Sequence, residues 1–285
     1  MMTDDVEHQR VNALLVGLPK TGKTTYLALA YGTILDDDAC GVSLDAHDDD
    51  LAYLNRILGA LQEYRAADHT LVGQTEGLSL LLRFGQQEAA RVEVPDLSGE
   101  TWEGVHVDRV WERELVDSVP SCAGVVLFTN VDDHKAVQTV TELQADTEAL
   151  GDTSWDKDAP HSPDVPEAPT QLVLVDLLHA LRRVHSGTFR VSVVLSAYDT
   201  AQPPGIAPAD WSEANLPLLD QYLAVNADVI ESRTFGVSGQ GGSYPPGADQ
   251  LAASLLERAY VLGPDGQSTT LLAPLLWALG RDDAD

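Results

Sequence analysis

Lysine is scarce in this chain: Lys20, Lys23, Lys135 and Lys157 are the four among 285 residues. All basic residues together number 17 against 45 acidic ones, a formal net charge of -28, and the acids are spread along the whole sequence. Such a surface repels duplex DNA and anionic membranes on average, so no nucleic-acid partner is expected. Cysteine is nearly absent too. Cys40 and Cys122 lie far apart, with no Cys or His neighbours at metal-ligand spacing, which leaves no zinc pattern and fits reduced thiols in a cytoplasm. No uncharged apolar run approaches the ~18 residues that span a bilayer. The N-terminal Thr3-Asp4-Asp5-Val6-Glu7 is neither basic nor apolar, unlike a secretion signal. A cytoplasmic protein without membrane insertion is expected.

What positive charge there is has been gathered in one place. Two of the four lysines fall in Gly17-Leu18-Pro19-Lys20-Thr21-Gly22-Lys23-Thr24, a complete Gly-x-x-x-x-Gly-Lys-Thr loop. It follows the apolar run Val11 to Val16, read as a strand, and precedes a helix expected over Lys23 to Leu35. In that context Gly17 and Gly22 let successive N–H groups of the loop, those of Lys20 and Thr21 included, turn toward a β-phosphate. Lys23 reaches the β- and γ-oxygens, and Thr24 offers its hydroxyl to magnesium. The helix beginning at Lys23 and carrying Thr24 and Thr25 adds the positive end of its dipole.

Beyond this loop the chain alternates. Leu51, Leu54, Leu58 and Leu61 recur at helical spacing from about Asp48. Residues 78–84 and 90–94 flank Gly85-Gln86-Gln87-Glu88 and read as a hairpin. Cys122 to Asn130 and Arg190 to Ala197 are apolar enough for strands buried on both faces. A helix capped by Thr170 and running to Arg183 separates them. A helix over Asp210 to Val225, a strand over Ile230 to Val237, a helix over Asp249 to Tyr260 and a short terminal helix within 269–280 follow. The pattern predicts an α/β, three-layer architecture with a mainly parallel sheet, one antiparallel hairpin strand, and helices on its faces. The expected organisation is a tail over 1–10, one domain over 11–265 with insertions at about 36–77 and 131–169, and a C-terminal helix with an acidic tail over 266–285.

Four later segments carry further chemistry. Asp96-Leu97-Ser98-Gly99 closes the hairpin's second strand, where Asp96 would sit near magnesium and the Gly99 N–H would face a γ-phosphate. Thr75, with Thr70 as competitor, precedes the hairpin and would bring a hydroxyl to the same ion. Asp199, in Ser196-Ala197-Tyr198-Asp199, would accept two hydrogen bonds from the N1 and amino group of guanine, which adenine does not offer. Ser238 and Gly239, in Val237-Ser238-Gly239-Gln240, are small enough to let backbone approach the guanine O6.

In this order the set resembles the Ras-like, TRAFAC-class P-loop GTPases over about residues 11 to 260. Asp96-Leu97-Ser98-Gly99-Glu100 and the Pro-Thr-Gln-Leu-x-Leu-Val-Asp-Leu-Leu run at 169–178 are similar to the bacterial double-GTPase families. The resemblance implies GTP and GDP as ligands, magnesium as cofactor, and a switch whose loops engage protein partners; those families are inferred to act in multi-gene conflict or defence systems. Two departures stand out. The class carries Asn/Thr-Lys-x-Asp where this chain has Ser196-Ala197-Tyr198-Asp199, so the lysine that packs over the base and steadies the phosphate loop is missing. It often carries Gln after Asp-x-x-Gly, where this chain has Glu100; with Lys23 and Gly99, Glu100 completes the expected catalytic set, and its charge near the γ-phosphate implies slow hydrolysis. Arg65 and Arg109 are candidates for an arginine finger in cis. Trp102 is either a partner contact or a half-buried anchor. The alternatives are a non-hydrolysing nucleotide-binding scaffold, an ATP-specific P-loop NTPase, and a small-molecule kinase, the last disfavoured by the lack of an Arg-rich lid.

Overall fold

The computed structural model describes residues 11–36, 41–45, 48–64, 78–85, 88–94, 100–111, 119–135, 168–185, 187–242 and 253–281. In chain order the elements are β1 (Val11–Val16), α1 (Lys23–Asp36), β2 (Val42–Asp45), α2 (Asp48–Gln62), β3 (Leu78–Phe84), β4 (Glu88–Val94), α3 (Glu100–Val107) and β5 (Cys122–Asn130). They continue with α4 (Thr170–Val184), β6 (Phe189–Ser196), α5 (Pro208–Asn215), α6 (Pro217–Val225), β7 (Ile230–Ser238), α7 (Leu255–Arg258), β8 (Tyr260–Leu262), β9 (Ser268–Thr269) and α8 (Ala273–Ala278).

The nine strands form one sheet in the order β2-β3-β4-β1-β5-β6-β7-β8-β9. Its centre, β4-β1-β5-β6-β7, is parallel throughout. The expected hairpin pairs β3 with β4, Leu78 opposite Val94. Antiparallel structure extends further than the hairpin: β2 pairs with β3 at one edge, and β8 and β9 follow β7 at the other.

Alternation along the central strands builds two cores. Ala13, Leu15, Val126, Phe128 and Val194 face a layer made by α1, α2, α7 and α8. Leu14, Val16, Val125, Leu127, Val193 and Leu195 face α3, α4, α5 and α6. With both faces covered, β5 and β6 read as near-continuous apolar runs, as buried parallel strands must.

Three expectations change. Thr170 does not cap α4. Its hydroxyl accepts the Lys135 N–H (2.7 Å) while its own N–H donates to the Lys135 carbonyl (3.1 Å), so the chain ends bordering residues 136–167 are clamped together. The helix expected over Asp210–Val225 is two helices, because Pro217 has no N–H to continue α5 and instead occupies the first turn of α6. Of the helix expected over Asp249–Tyr260, the described residues 253–260 hold a helix of four residues, Leu255–Arg258. Ser254 and Glu257 form a capping box at its start, Ala259 turns extended, and Tyr260 pairs with Ser238 in the sheet.

Candidate functional site

The carboxyl ends of β1, β5, β6 and β7 converge on a cavity of about 530 Å³, lined by the phosphate loop, the start of α1 and the turns that follow β5, β6 and β7. This is where ligands sit in open parallel sheets.

The loop after β1 is held shut by its own side chains. The Lys23 ammonium, 3% exposed, donates to the carbonyls of Gly17 (2.7 Å) and Leu18 (2.8 Å), and the Thr21 hydroxyl donates to Leu18 (2.8 Å). A Cβ on Gly17 would lie 2.8 Å from Thr21 Oγ1 and 2.9 Å from the Phe128 carbonyl, so only glycine fits. Gly22 has φ +89° and abuts Ser196, the last residue of β6. The phosphate loop and the β6 turn therefore pack directly on each other. Lys20 and Gly22 line the cavity, as does Thr25. Thr24 is the second residue of α1, partly buried and outside the cavity lining.

At the other end Ala197 takes the left-handed conformation (φ 53°, ψ 37°), turning β6 into a short 3-10 turn over Tyr198–Thr200. The Thr200 hydroxyl closes this turn on the Ala197 carbonyl (2.8 Å), and the Tyr198 hydroxyl pins it to Ile206 (2.8 Å). The turn carries Asp199 into the cavity wall. There the Ser238 hydroxyl donates to Asp199 Oδ1 (2.6 Å) and itself accepts the Gly241 N–H (3.0 Å). The two segments singled out for base recognition are thus joined by one hydrogen bond, although 39 residues separate its ends. Gly239 approaches α1 so closely that a Cβ there would meet Thr25 Cγ2 at 2.8 Å.

Several residues that line the cavity or stand behind its wall carry little signal in the sequence. Asn130 ends β5 and Asp132 lies two residues beyond it, the two joined by the Asp132 N–H donating to Asn130 Oδ1 (2.8 Å). Their only sequence signal is polarity at the end of an apolar strand. Tyr26 and Phe128 form an apolar wall, ring centres 5.5 Å apart. Tyr260, at the end of a stretch whose pattern is helical, stands opposite Ser238 in the sheet; burial, and then the Asp199 charge, push its hydroxyl pKa up. Burial likewise pushes the Tyr198 hydroxyl up to about 12.

Other expected positions fall elsewhere. Thr75, Thr70, Arg65, Asp96 and Gly99 lie outside the described residues. Glu100 is the first residue of α3. Trp102 is fully buried in the core between α3 and the sheet, an anchor rather than a partner contact. Arg109 is ion-paired at close range with Asp176 on α4, and His106 Nδ1 lies 2.6 Å from the same carboxylate, so Arg109 is held to α4.

A strand–loop–helix phosphate cradle at the carboxyl edge of a parallel sheet, in one cavity with two polar turns, defines a P-loop nucleotide-binding protein. The model of the Double-GTPase 1 family matches residues 14–278. The chain belongs to that family, and with it to the GTP-binding P-loop proteins. No curated protein matches the sequence. Among solved structures, a putative nucleolar GTP-binding protein 1 from Plasmodium falciparum is similar at 11% identity and TM-score 0.36, covering 81% of this chain and 79% of its own. The Arl6 small GTPase of Trypanosoma brucei, solved with the nucleotide analogue GppNp, is similar at 13% identity and TM-score 0.31, covering 79% and 87%. Among the described residues no helix is long and apolar enough to cross a membrane.

Proposed function

We propose that the protein binds GTP and GDP in this cavity, hydrolyses GTP slowly with magnesium, and works as a molecular switch for protein partners in a bacterial conflict or defence system. The observation that carries the guanine reading is the Ser238–Asp199 hydrogen bond beside the phosphate loop. It orients one carboxylate oxygen and leaves the other as an acceptor for the paired N1 and amino donors of guanine.

In the proposed complex the Lys23 ammonium leaves the Gly17 and Leu18 carbonyls for the β- and γ-phosphate oxygens, exchanging two neutral acceptors for charged ones. The N–H groups of Lys20, Thr21 and Gly22 and the start of α1 surround the β-phosphate. Thr24, with Thr75 and Asp96, would hold magnesium; hydroxyl and carboxylate donors suit a hard cation, which when bound neutralises charge on the β- and γ-oxygens. Glu100, at the start of α3, would orient the attacking water, with the Gly99 N–H facing the γ-phosphate. The carboxylate's charge there keeps turnover slow. The switch segments around Thr75 and at Asp96 to Glu100 would respond to nucleotide state and present the partner surface.

Single-turnover GTP hydrolysis tests this. We expect a rate on the order of 10⁻³ s⁻¹ or lower, in the range of an unassisted switch GTPase, abolished by EDTA and by Lys23→Ala. Tight GTP binding with no turnover, and equal partner capture in both nucleotide states, would favour the scaffold. Turnover of ATP over GTP would replace the guanine reading with an ATPase.

A further inference from the structure

We propose that Lys20 supplies, from the phosphate loop itself, the cation over the nucleobase that Ala197 fails to provide. The inference rests on the guanine-nucleotide reading above and assigns a specificity-determining side chain within it.

The cavity lining contains Asp132, Asp199 and, among the described residues, one cation, Lys20. The other lysine of the loop, Lys23, is turned away onto Gly17 and Leu18. Lys20 takes a left-handed backbone conformation, φ 63°. That costs a residue with a Cβ roughly 1 kcal/mol or more, and glycine would adopt it freely. The turn alone therefore gives no reason for a lysine; the side chain does. In the same lining Ala197 is also left-handed, and its methyl group has no stem to cover a base. Gly22 packs on Ser196, so the phosphate loop and the β6 turn are neighbours, and Lys20, with its four-carbon stem, lines the same cavity as Ser196 and Ala197. With the stem along one purine face, the ammonium has the Asp132 carboxylate of the β5 turn, in the same lining, as its counter-charge. Anchored there, the cation acts on the base and not on the terminal phosphate.

The test is equilibrium binding of fluorescent GDP and GTP to the wild-type protein, Lys20→Gly, Lys20→Met, Ala197→Lys and the Lys20→Gly/Ala197→Lys double variant at one ionic strength, with thermal melts alongside. Lys20→Gly is expected to weaken GDP and GTP equally, by about tenfold, between an exposed and a fully desolvated cation–π contact, with its melting temperature unchanged or raised. Lys20→Met, which keeps the stem, falls between. Ala197→Lys restores most of the loss in the Lys20→Gly background and adds little to the wild type. Wild-type affinity in Lys20→Gly, or a loss several times larger for GTP than for GDP, would overturn the assignment, the second by making Lys20 a phosphate ligand. If the wild-type protein itself binds neither guanine nucleotide, the parent reading fails and this inference falls with it.

Discussion

At the scale of single residues, chemistry in the site is set by which polar groups already have partners. Lys23 is buried with its ammonium on two loop carbonyls, so Lys23→Ala removes both the proposed phosphate ligand and the loop's internal tie. We expect nucleotide affinity to fall by about a hundredfold or more in a titration with fluorescent GDP. Burial also leaves a mark on alkaline stability. The Cys122 thiol, ordinarily near 9, and the Tyr198 hydroxyl, ordinarily near 10, are both pushed up to about 12, chiefly by burial. A folded-state pKa above the unfolded one means that the unfolded chain loses its proton first. The stabilisation from these protonated groups is then complete below about pH 9 and declines as pH rises toward 12. Denaturant melts across that window should show falling stability, with a shallower decline in Cys122→Ala. Much of the loop and of the two polar turns was legible from residue type and order, because phosphate cradles need glycines at fixed places. Asn130, Asp132 and Tyr260 were not, because their roles come from strand neighbours distant in sequence.

Elements were legible where one physical cause dominated. The strands β1 and β5 and the start of α1 follow from buried apolar runs and fall where expected. Sequence pattern and structure part where local and tertiary preferences compete: Tyr260–Leu262 leaves a helix-like apolar pattern to pair with β7, and Pro217 splits one amphipathic stretch in two. The C-terminal helix α8 shows how tightly such late elements are fitted. Trp277 is buried, with the guanidinium groups of Arg190 and Arg233 5.4 and 5.3 Å from its ring centre, and the Leu275 N–H donates to the Tyr26 hydroxyl (3.2 Å). Gly124 on β5 passes beneath it, where a Cβ would lie 2.2 Å from the Ala278 carbonyl. Gly124→Ala must displace that backbone and should cost about 1–3 kcal/mol in urea unfolding, the usual penalty of overpacking. Unchanged stability would mean that α8 is not docked on β5.

Across the whole molecule, charge dominates. A net charge of -28 places mutual repulsion on the folded state and a repulsive field around an anionic ligand. Salt shortens the range of both, so the melting temperature should rise between about 0.02 and 0.5 M NaCl, where the Debye length shrinks from about 20 to 4 Å. Nucleotide association should quicken over the same range. A melting temperature that falls with salt would show that favourable ion pairs such as Arg109–Asp176 outweigh the global repulsion. Against that field the local lysines of the phosphate loop matter more than their number suggests, since they supply the attraction that the rest of the surface opposes. The central claim, that one cavity reads guanine through Asp199 and phosphates through the loop of Lys23, is tested most directly by equilibrium binding of fluorescent GTP, GDP and ATP with magnesium. The account predicts guanine-selective binding to the wild-type protein, lost with Lys23→Ala and lost with Asp199→Ala; selective ATP binding, or guanine binding indifferent to Asp199, would contradict it.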